Sequence, residues 1–227
     1  APEGCDHALY TSGRDEMVDK GLRAIKYHNR QADVVLAFEG TYVGHTTAAA
    51  RSVSDFGGSY FSWPKLPHPA RVGSAAALEA LDAALEEMGD RALGLVIEPI
   101  GERSGLVIPS EFYGALQSRR VSKGLRVMVS ETVTGGFRHG YGSAFYVDCT
   151  DLQADQVWWY AGGQLGVVFC ADTVWVEKPL QLISTWDGDE LCMIRTAHHL
   201  RWGLRHRDQI AQRAALMSRM LSQVSGA

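Results

Sequence analysis

Apolar residues recur along the chain in two alternating patterns. Helical spacing at Met17, Leu22 and Ile25 predicts a helix over residues 15–27. Further helices are predicted to end near Gly89, to run from an N-cap at Ser110 to Gly124, and to cover residues 190–224. Short continuous apolar runs predict buried strands at residues 33–38, 93–97, 125–129, 166–170 and near 173–176. Residues 57–74, rich in Gly, Ser and Pro, are expected to form a surface loop.

This alternation of strand and helix predicts an α/β fold, a three-layer sandwich with a mostly parallel sheet and helices on both faces. Ligands of such folds bind at the carboxyl ends of the strands. Residues 1–188 are expected to form one domain. Residues 189–227 are expected to form a C-terminal helix that begins, or remains from, a second and smaller domain.

Composition restricts the function more than it defines it. The chain has 227 residues, 46% of them hydrophobic, and a formal net charge of -4, so no basic surface for nucleic acid is predicted. Apolar runs are too short to span a membrane, and no secretory signal is visible, so a cytoplasmic location is expected. The cysteines have no metal-ligand spacing, and no metal site is predicted.

Four segments in order carry a family resemblance. They are Thr11–Gly13, Val34–Gly44, Leu95–Ile100 with Gly105 after it, and Val127–Gly140. Together they resemble the large domain of a class III aminotransferase of the pyridoxal-phosphate (PLP) fold type I family. The resemblance runs from about Leu9 to about Trp186 and implies the fold of a PLP-dependent transferase large domain.

The resemblance also implies a Schiff-base lysine, which this chain lacks. Residues 124–177 contain no lysine, and Trp159 or Ala161 stands at the corresponding position. An amine is needed there because attack on an imine is far easier than attack on a free aldehyde. Ser130 replaces the aspartate that holds the pyridinium proton, and Val43 replaces a histidine.

The remaining cofactor positions are altered or vestigial. Ser12 and Gly13 keep the phosphate-binding turn, but Arg14–Glu16 bring two carboxylates beside it. The other vestigial cofactor positions are Tyr42, Glu98 and Thr185. No PLP is therefore expected to bind.

Three functions stay open. The favoured one is a non-catalytic dimerisation or docking domain of a specialised-metabolite biosynthetic protein. Its expected partners are a second copy and a larger biosynthetic enzyme or carrier protein, with dimer contact through residues 158–165. The alternative is a cofactor-independent enzyme for a small or carrier-bound metabolite. The third function is a PLP-binding aminotransferase.

The cofactor-independent enzyme would use side chains that the resemblance brings to one sheet edge. Its candidate catalytic residues are Glu131, His139, Ser130 and His45. The alternative is that these four residues are ordinary polar groups of loops and of the surface, with no catalytic role. Likewise, the basic stretch 198–207 is interpreted as a solvated helix face, with partner docking as the alternative.

Overall fold

The computed structural model describes residues 1–225. The strands are β1 (His7–Thr11), β2 (Val34–Phe38), β3 (Lys65–Leu66), β4 (Ala92–Ile97), β5 (Val127–Ser130), β6 (Gln156–Tyr160) and β7 (Gly166–Cys170). The helices are α1 (Arg14–His28), α2 (Ala48–Val53), α3 (Pro69–Val72), α4 (Ser74–Met88), α5 (Ser110–Lys123) and α6 (Glu190–Ser225). Within these residues, no helix has the length and apolar character that a membrane span requires.

The seven strands form one sheet in the order β1-β7-β6-β5-β4-β2-β3. Strands β2 to β6 pair in parallel with one another, whereas β7 is antiparallel to both of its neighbours, β1 and β6. The carboxyl ends of β2, β4, β5 and β6 consequently meet at one edge of the sheet. The predicted α/β sandwich with a mostly parallel sheet is confirmed.

Side chains of the sheet fill two cores, one on each face. Trp158 points to the face covered by α1, and Trp159 points to the opposite face, which α4 and α5 cover. Their exposures are 0% and 4%, so this aromatic pair packs inside the domain rather than at its surface. The expected dimer contact through residues 158–165 is therefore wrong for Trp158, Trp159 and Leu165, which are buried in the chain's own core.

Helix α1 lies unusually close to the sheet because it carries Gly21 there. A Cβ atom at Gly21 would lie 2.5 Å from Trp158 Nε1 and 2.9 Å from Gln156 Oε1. The Trp158 indole donates to that same Gln156 oxygen at 2.8 Å, so the ring has a fixed position. A larger residue on α1 would push the helix away from the sheet.

Several local predictions were wrong. Residues 172–174 form a short 3-10 helix instead of a strand, because Trp175 N–H bonds back to the Asp172 carbonyl. The N-cap of α5 is Pro109, one residue before Ser110. The predicted loop of residues 57–74 contains β3 and α3. The domain boundary after residue 188 stays a prediction, and the last two residues of its C-terminal part, 226–227, lie outside the described residues.

We expect Gly21→Ala to destabilise the fold by about 1–3 kcal/mol, because the added methyl group overpacks the contact with Trp158. Gly114→Ala in α5 is the matched control, since the nearest atom to a Cβ at Gly114, Asp151 Oδ2, would lie at an ordinary 3.6 Å. That control should gain up to about 1 kcal/mol from helix propensity alone. Urea unfolding of both variants measures the difference, and equal effects at the two sites would contradict the close approach.

Candidate functional site

The candidate site lies where the carboxyl ends of the parallel strands meet the amino end of α1. Arg14 of α1 reaches over both Tyr42, after β2, and Tyr160, at the end of β6; its Cζ atom lies 5.0 Å and 5.9 Å from the two ring centroids. After β4, Glu98 Oε2 accepts the Tyr42 N–H at 2.7 Å. The four elements thus build one edge, which is where ligands bind in folds of this kind.

Two arginines cover the Tyr42 ring. The Arg14 guanidinium also donates to both carboxylate oxygens of Glu102 at 2.7 Å, which fixes its position over the ring. Arg103 lies with its Cζ atom 4.1 Å from the Tyr42 centroid and 4.3 Å from that of Phe56. Such cation–π contacts hold the guanidinium groups against the aromatic surface. The face of Tyr42 is consequently occupied by the chain's own side chains.

The carboxylate of Asp15 binds the loop that follows Gly44. It accepts the His45 N–H at 2.8 Å and the Thr46 hydroxyl at 2.6 Å, and it also accepts the Thr46 N–H. Burial alone would raise the pKa of Asp15, but the hydrogen bonds from Thr46 and His45 outweigh burial and lower it. Asp15 is therefore ionised and ties α1 to this loop.

Glu16 accepts both donors of Ser12 in the turn that precedes α1. Its Oε2 accepts the Ser12 N–H at 2.9 Å and the Ser12 hydroxyl at 2.5 Å, while its Oε1 accepts the Ser184 hydroxyl at 2.8 Å. Burial opposes ionisation of Glu16, yet the bonds from Ser12 and Ser184 lower its pKa overall. An anion belonging to the chain itself therefore lies at the amino end of α1, where the helix dipole favours negative charge.

Glu131 is a buried acceptor of backbone and hydroxyl hydrogen bonds. Its side chain has no exposed surface, and it accepts the Val147 N–H at 2.8 Å and the Thr134 hydroxyl. Burial raises the pKa of Glu131 to about 7, although both hydrogen bonds act in the opposite direction. This glutamate holds the loop between residues 131 and 147 against the end of β5.

The other predicted catalytic residues are spread around this edge. His139 accepts the Tyr141 N–H at 3.2 Å through Nδ1, while its Nε2 is buried without a hydrogen-bond partner. His45 Nδ1 lies 2.6 Å from the Tyr42 hydroxyl, and Ser130 Oγ is buried and unpaired. Across residues 1–225, no hydrogen bond or ion pair joins Glu131 to either histidine. Their joint catalytic role stays a prediction.

Trp159, one of the two residues proposed at the lysine position, fills its surroundings. A Cβ atom on Gly135 would lie 2.6 Å from the indole Cδ1, and the Phe145 ring meets the indole edge-on with centroids 5.5 Å apart. Ala161 begins the next turn, where its N–H bonds to the Leu165 carbonyl at 3.0 Å. The glycine-rich loop after β5 is thus shaped around an aromatic ring.

Two of the vestigial cofactor positions, Glu98 and Thr185, differ in their contacts. Both oxygens of Glu98 accept backbone N–H groups, from Tyr42 at 2.7 Å and from Glu102 at 3.1 Å, and burial raises the pKa of Glu98 to about 7. Thr185 is exposed, and it is the preceding residue, Ser184, that reaches α1. Ser184, Glu102 and Arg103 were missed from the sequence, although each lies within five residues of a position that was singled out.

Comparison with known proteins agrees with this geometry. No protein-family model matches the chain. Glutamate-1-semialdehyde 2,1-aminomutase of Aeropyrum pernix is 32% identical over 119 residues, which are 48% of this chain and 27% of that protein. Glutamate-1-semialdehyde 2,1-aminomutase 1 of Staphylococcus aureus is 30% identical over 59% of this chain and 32% of its own length.

A solved transaminase from the marine bacterium Virgibacillus superposes with a TM-score of 0.81 at 18% identity. The chain therefore has the fold of this transaminase. The superposition covers 93% of this chain and 52% of the transaminase, so the domain spans about half the length of that structure. At this identity the likeness establishes the fold, and the domain's activity is a separate question.

The raised pKa of Glu131 predicts how stability depends on pH. A carboxyl whose pKa rises from 4.5 unfolded to about 7 folded favours the folded state at low pH. The free energy of unfolding should therefore fall as the pH rises from about 4.5 to about 7, by up to about 3 kcal/mol for this group.

Glu131→Gln should remove this group's share of the fall, because the amide does not titrate, while Glu98, whose pKa is also raised to about 7, keeps its own share. Glu87→Gln, on the exposed side of α4, is the control and should leave the profile unchanged. Denaturant unfolding at a series of pH values measures both. A wild-type stability that rises steadily across this window, unaltered in Glu131→Gln, would refute the assignment.

Proposed function

We propose that this domain is an aminotransferase-like scaffold that does not use PLP and works by association rather than catalysis. The observation that carries the proposal is the occupation of the Ser12 turn by Glu16, whose carboxylate accepts both donors of Ser12. In the family that this domain resembles, such a turn binds the cofactor phosphate. Here the same donors are already bonded within the chain.

A phosphate at this turn would meet like charge. Glu16 is bonded directly to Ser12, and Asp15 lies in the same first turn of α1, with its carboxylate directed to the Thr46 loop. Like charges at such separations repel by several kcal/mol where water is partly excluded. Arg14 offsets little of this repulsion because its guanidinium is paired with Glu102. These residues do not fit a bound phosphate.

The ring and the amine of the cofactor chemistry also lack their supports. PLP, when bound, supplies an electron sink that depends on a protonated pyridinium and on a lysine amine. Ser130 is neutral and cannot hold that proton. Lys20 is the lysine beside the Ser12 turn, and its ammonium is buried in an ion pair with Asp187. Both features support a domain without aldimine chemistry.

Association is supported by an apolar surface beside the same turn. We name it the Trp186 surface: its exposed members are Leu180 (77%), Ile183 (64%), Trp186 (80%) and Leu191 (76%). Asp187 holds the loop in place through the Ser184 N–H, at 2.6 Å, and through Lys20. Rigid, exposed tryptophans are frequent binding hot spots. We propose that this surface forms a homodimer within a biosynthetic protein that also contacts a larger enzyme or a carrier protein.

One observation favours the alternative, a rebuilt enzyme that needs no cofactor. His139 Nε2 is buried without a partner beside Tyr141 and Tyr146, and an unpaired buried nitrogen is costly unless something binds it. A small ligand with a hydrogen-bond donor or acceptor would satisfy it. In that case His139→Asn abolishes a cofactor-free reaction, whereas a scaffold tolerates the change.

We expect the purified domain to remain colourless after incubation with PLP, with no aldimine absorbance band. Reduction with borohydride should leave no pyridoxyl adduct on Lys20, Lys123 or Lys178 in peptide mass spectrometry, because no lysine faces a bound ring. A transaminase that holds PLP is the positive control. A stoichiometric adduct on one of these lysines would contradict the proposal.

We expect Trp186→Asp to convert a dimer to a monomer, because a charge in the centre of an apolar interface is desolvated without a partner. Tyr60→Asp is the matched control, since Tyr60 is 71% exposed on a different loop. Light scattering at micromolar concentration measures the mass of each. The proposed interface is wrong if wild type is already monomeric, or if both variants remain dimers.

A further inference from the structure

The outer face of α6 is the strongest unexplained surface of the molecule. Residues 190–227 contain six arginines and two acidic residues, a formal charge of +4, within a chain whose net charge is -4, so residues 1–189 carry -8. This basic helix is therefore attached to an acidic domain. Such separation of charge marks a surface that attracts an acidic partner.

Two of the six arginines of α6 contact other groups of the chain. Arg207 lies 3.9 Å from Asp208, and Arg195 donates to the carbonyl oxygens of Ala161 and Gly162. In the part of the chain that the structure describes, no ion pair or hydrogen bond to a carboxylate is formed by Arg201, Arg205, Arg213 or Arg219. Their charges remain available to another molecule.

Large apolar side chains share this face with the arginines. Trp202 (53% exposed), Leu216 (51%) and Met220 (53%) lie within about 40° of one another around the helix, at about 100° per residue. Arg205 and Arg213 lie within about 60° of that stripe. An apolar stripe flanked by cations is the pattern of a helix that binds another amphipathic helix.

The last turns of α6 extend away from the domain. Ala214 contacts Gly140, whereas every residue from 215 to 223 is exposed. This segment also exposes Met217 and Leu221, which lie about 60° and 100° around the helix from Met220. Helical turns without tertiary packing are marginal in water. The end of α6 is consequently a helix with apolar groups and cations but no covering element among residues 1–225.

We infer that the outer face of α6 docks a partner protein through an acidic amphipathic helix. The partner's apolar stripe packs on Trp202, Leu216 and Met220, and its carboxylates pair with Arg205 and Arg213. Charge decides against a second α6 as the occupant, because two such helices would set arginine against arginine. This inference goes beyond the proposed function and holds whether or not the domain binds a cofactor.

The test uses the whole chain and a synthetic helical peptide with a leucine stripe flanked by glutamates, labelled for fluorescence anisotropy. We expect saturable binding that weakens with salt. Arg205→Glu combined with Arg213→Glu should weaken binding at least about tenfold, as should Leu216→Ser combined with Met220→Ser. The control pair, Arg30→Glu and Lys178→Glu, makes the same charge change at exposed positions elsewhere and should leave binding within about twofold.

Circular dichroism confirms that each variant stays folded, so that lost binding reports the surface. The inference is overturned if the peptide does not bind, if a scrambled peptide of equal composition binds equally well, or if the charge-reversed pair binds as wild type does. It is likewise overturned if phosphatidylglycerol vesicles bind the chain while the peptide does not, which would identify a membrane surface. Loss of self-association in Arg205→Glu with Arg213→Glu, without peptide binding, would assign the face to a second copy.

Discussion

The carboxylate of Glu16 links three parts of the molecule that the rest of the site depends on. It accepts both donors of Ser12 before α1, and it accepts the hydroxyl of Ser184, 168 residues later in the chain. The same segment is fixed again by Asp187 on Lys20. One ionised side chain therefore accepts the hydrogen bonds of Ser12 at the amino end of α1 and positions the loop that carries Trp186. The bonded donors of Ser12 and the position of the loop that carries Trp186 are consequences of a single set of hydrogen bonds.

A second constraint comes from the two tryptophans of β6. Because successive side chains of a strand point to opposite faces, Trp158 fills the core under α1 and Trp159 fills the core on the other side. Each ring requires a glycine where it meets a neighbouring segment, Gly21 for Trp158 and Gly135 for Trp159. A buried aromatic ring contributes several kcal/mol of burial that a lysine would not. Aromatic packing thus stabilises the scaffold at Trp159, one of the two positions at which the resemblance implies an amine.

The sequence predicts those parts of the fold that local periodicity determines. Helices α1, α4 and α6 and strands β2, β4, β5 and β7 follow from the spacing of apolar residues. Strand β6 was not predicted: it begins with the polar Gln156, whose buried side chain bonds to Gly21 and Trp158, and only the folded sheet reveals these partners. The contacts of Glu16 with Ser184 and of Arg14 with Glu102 were also out of reach. They join residues 168 and 88 positions apart, which only the folded sheet brings together.

The positions that keep the family pattern and those that depart from it differ in what their side chains touch. Glu98 accepts two backbone N–H groups, and Glu131 accepts one backbone N–H and one hydroxyl, all in buried surroundings. Removing either acceptor would leave buried donors unpaired, at about 1–3 kcal/mol each, so folding alone is reason enough to keep them. The lysine and the aspartate that the resemblance implies would mainly touch the cofactor. Replacing those two residues would cost the fold little stability, whereas replacing the buried glutamates would leave buried donors unpaired. In this domain the two buried glutamates are present, and the lysine and the aspartate are absent.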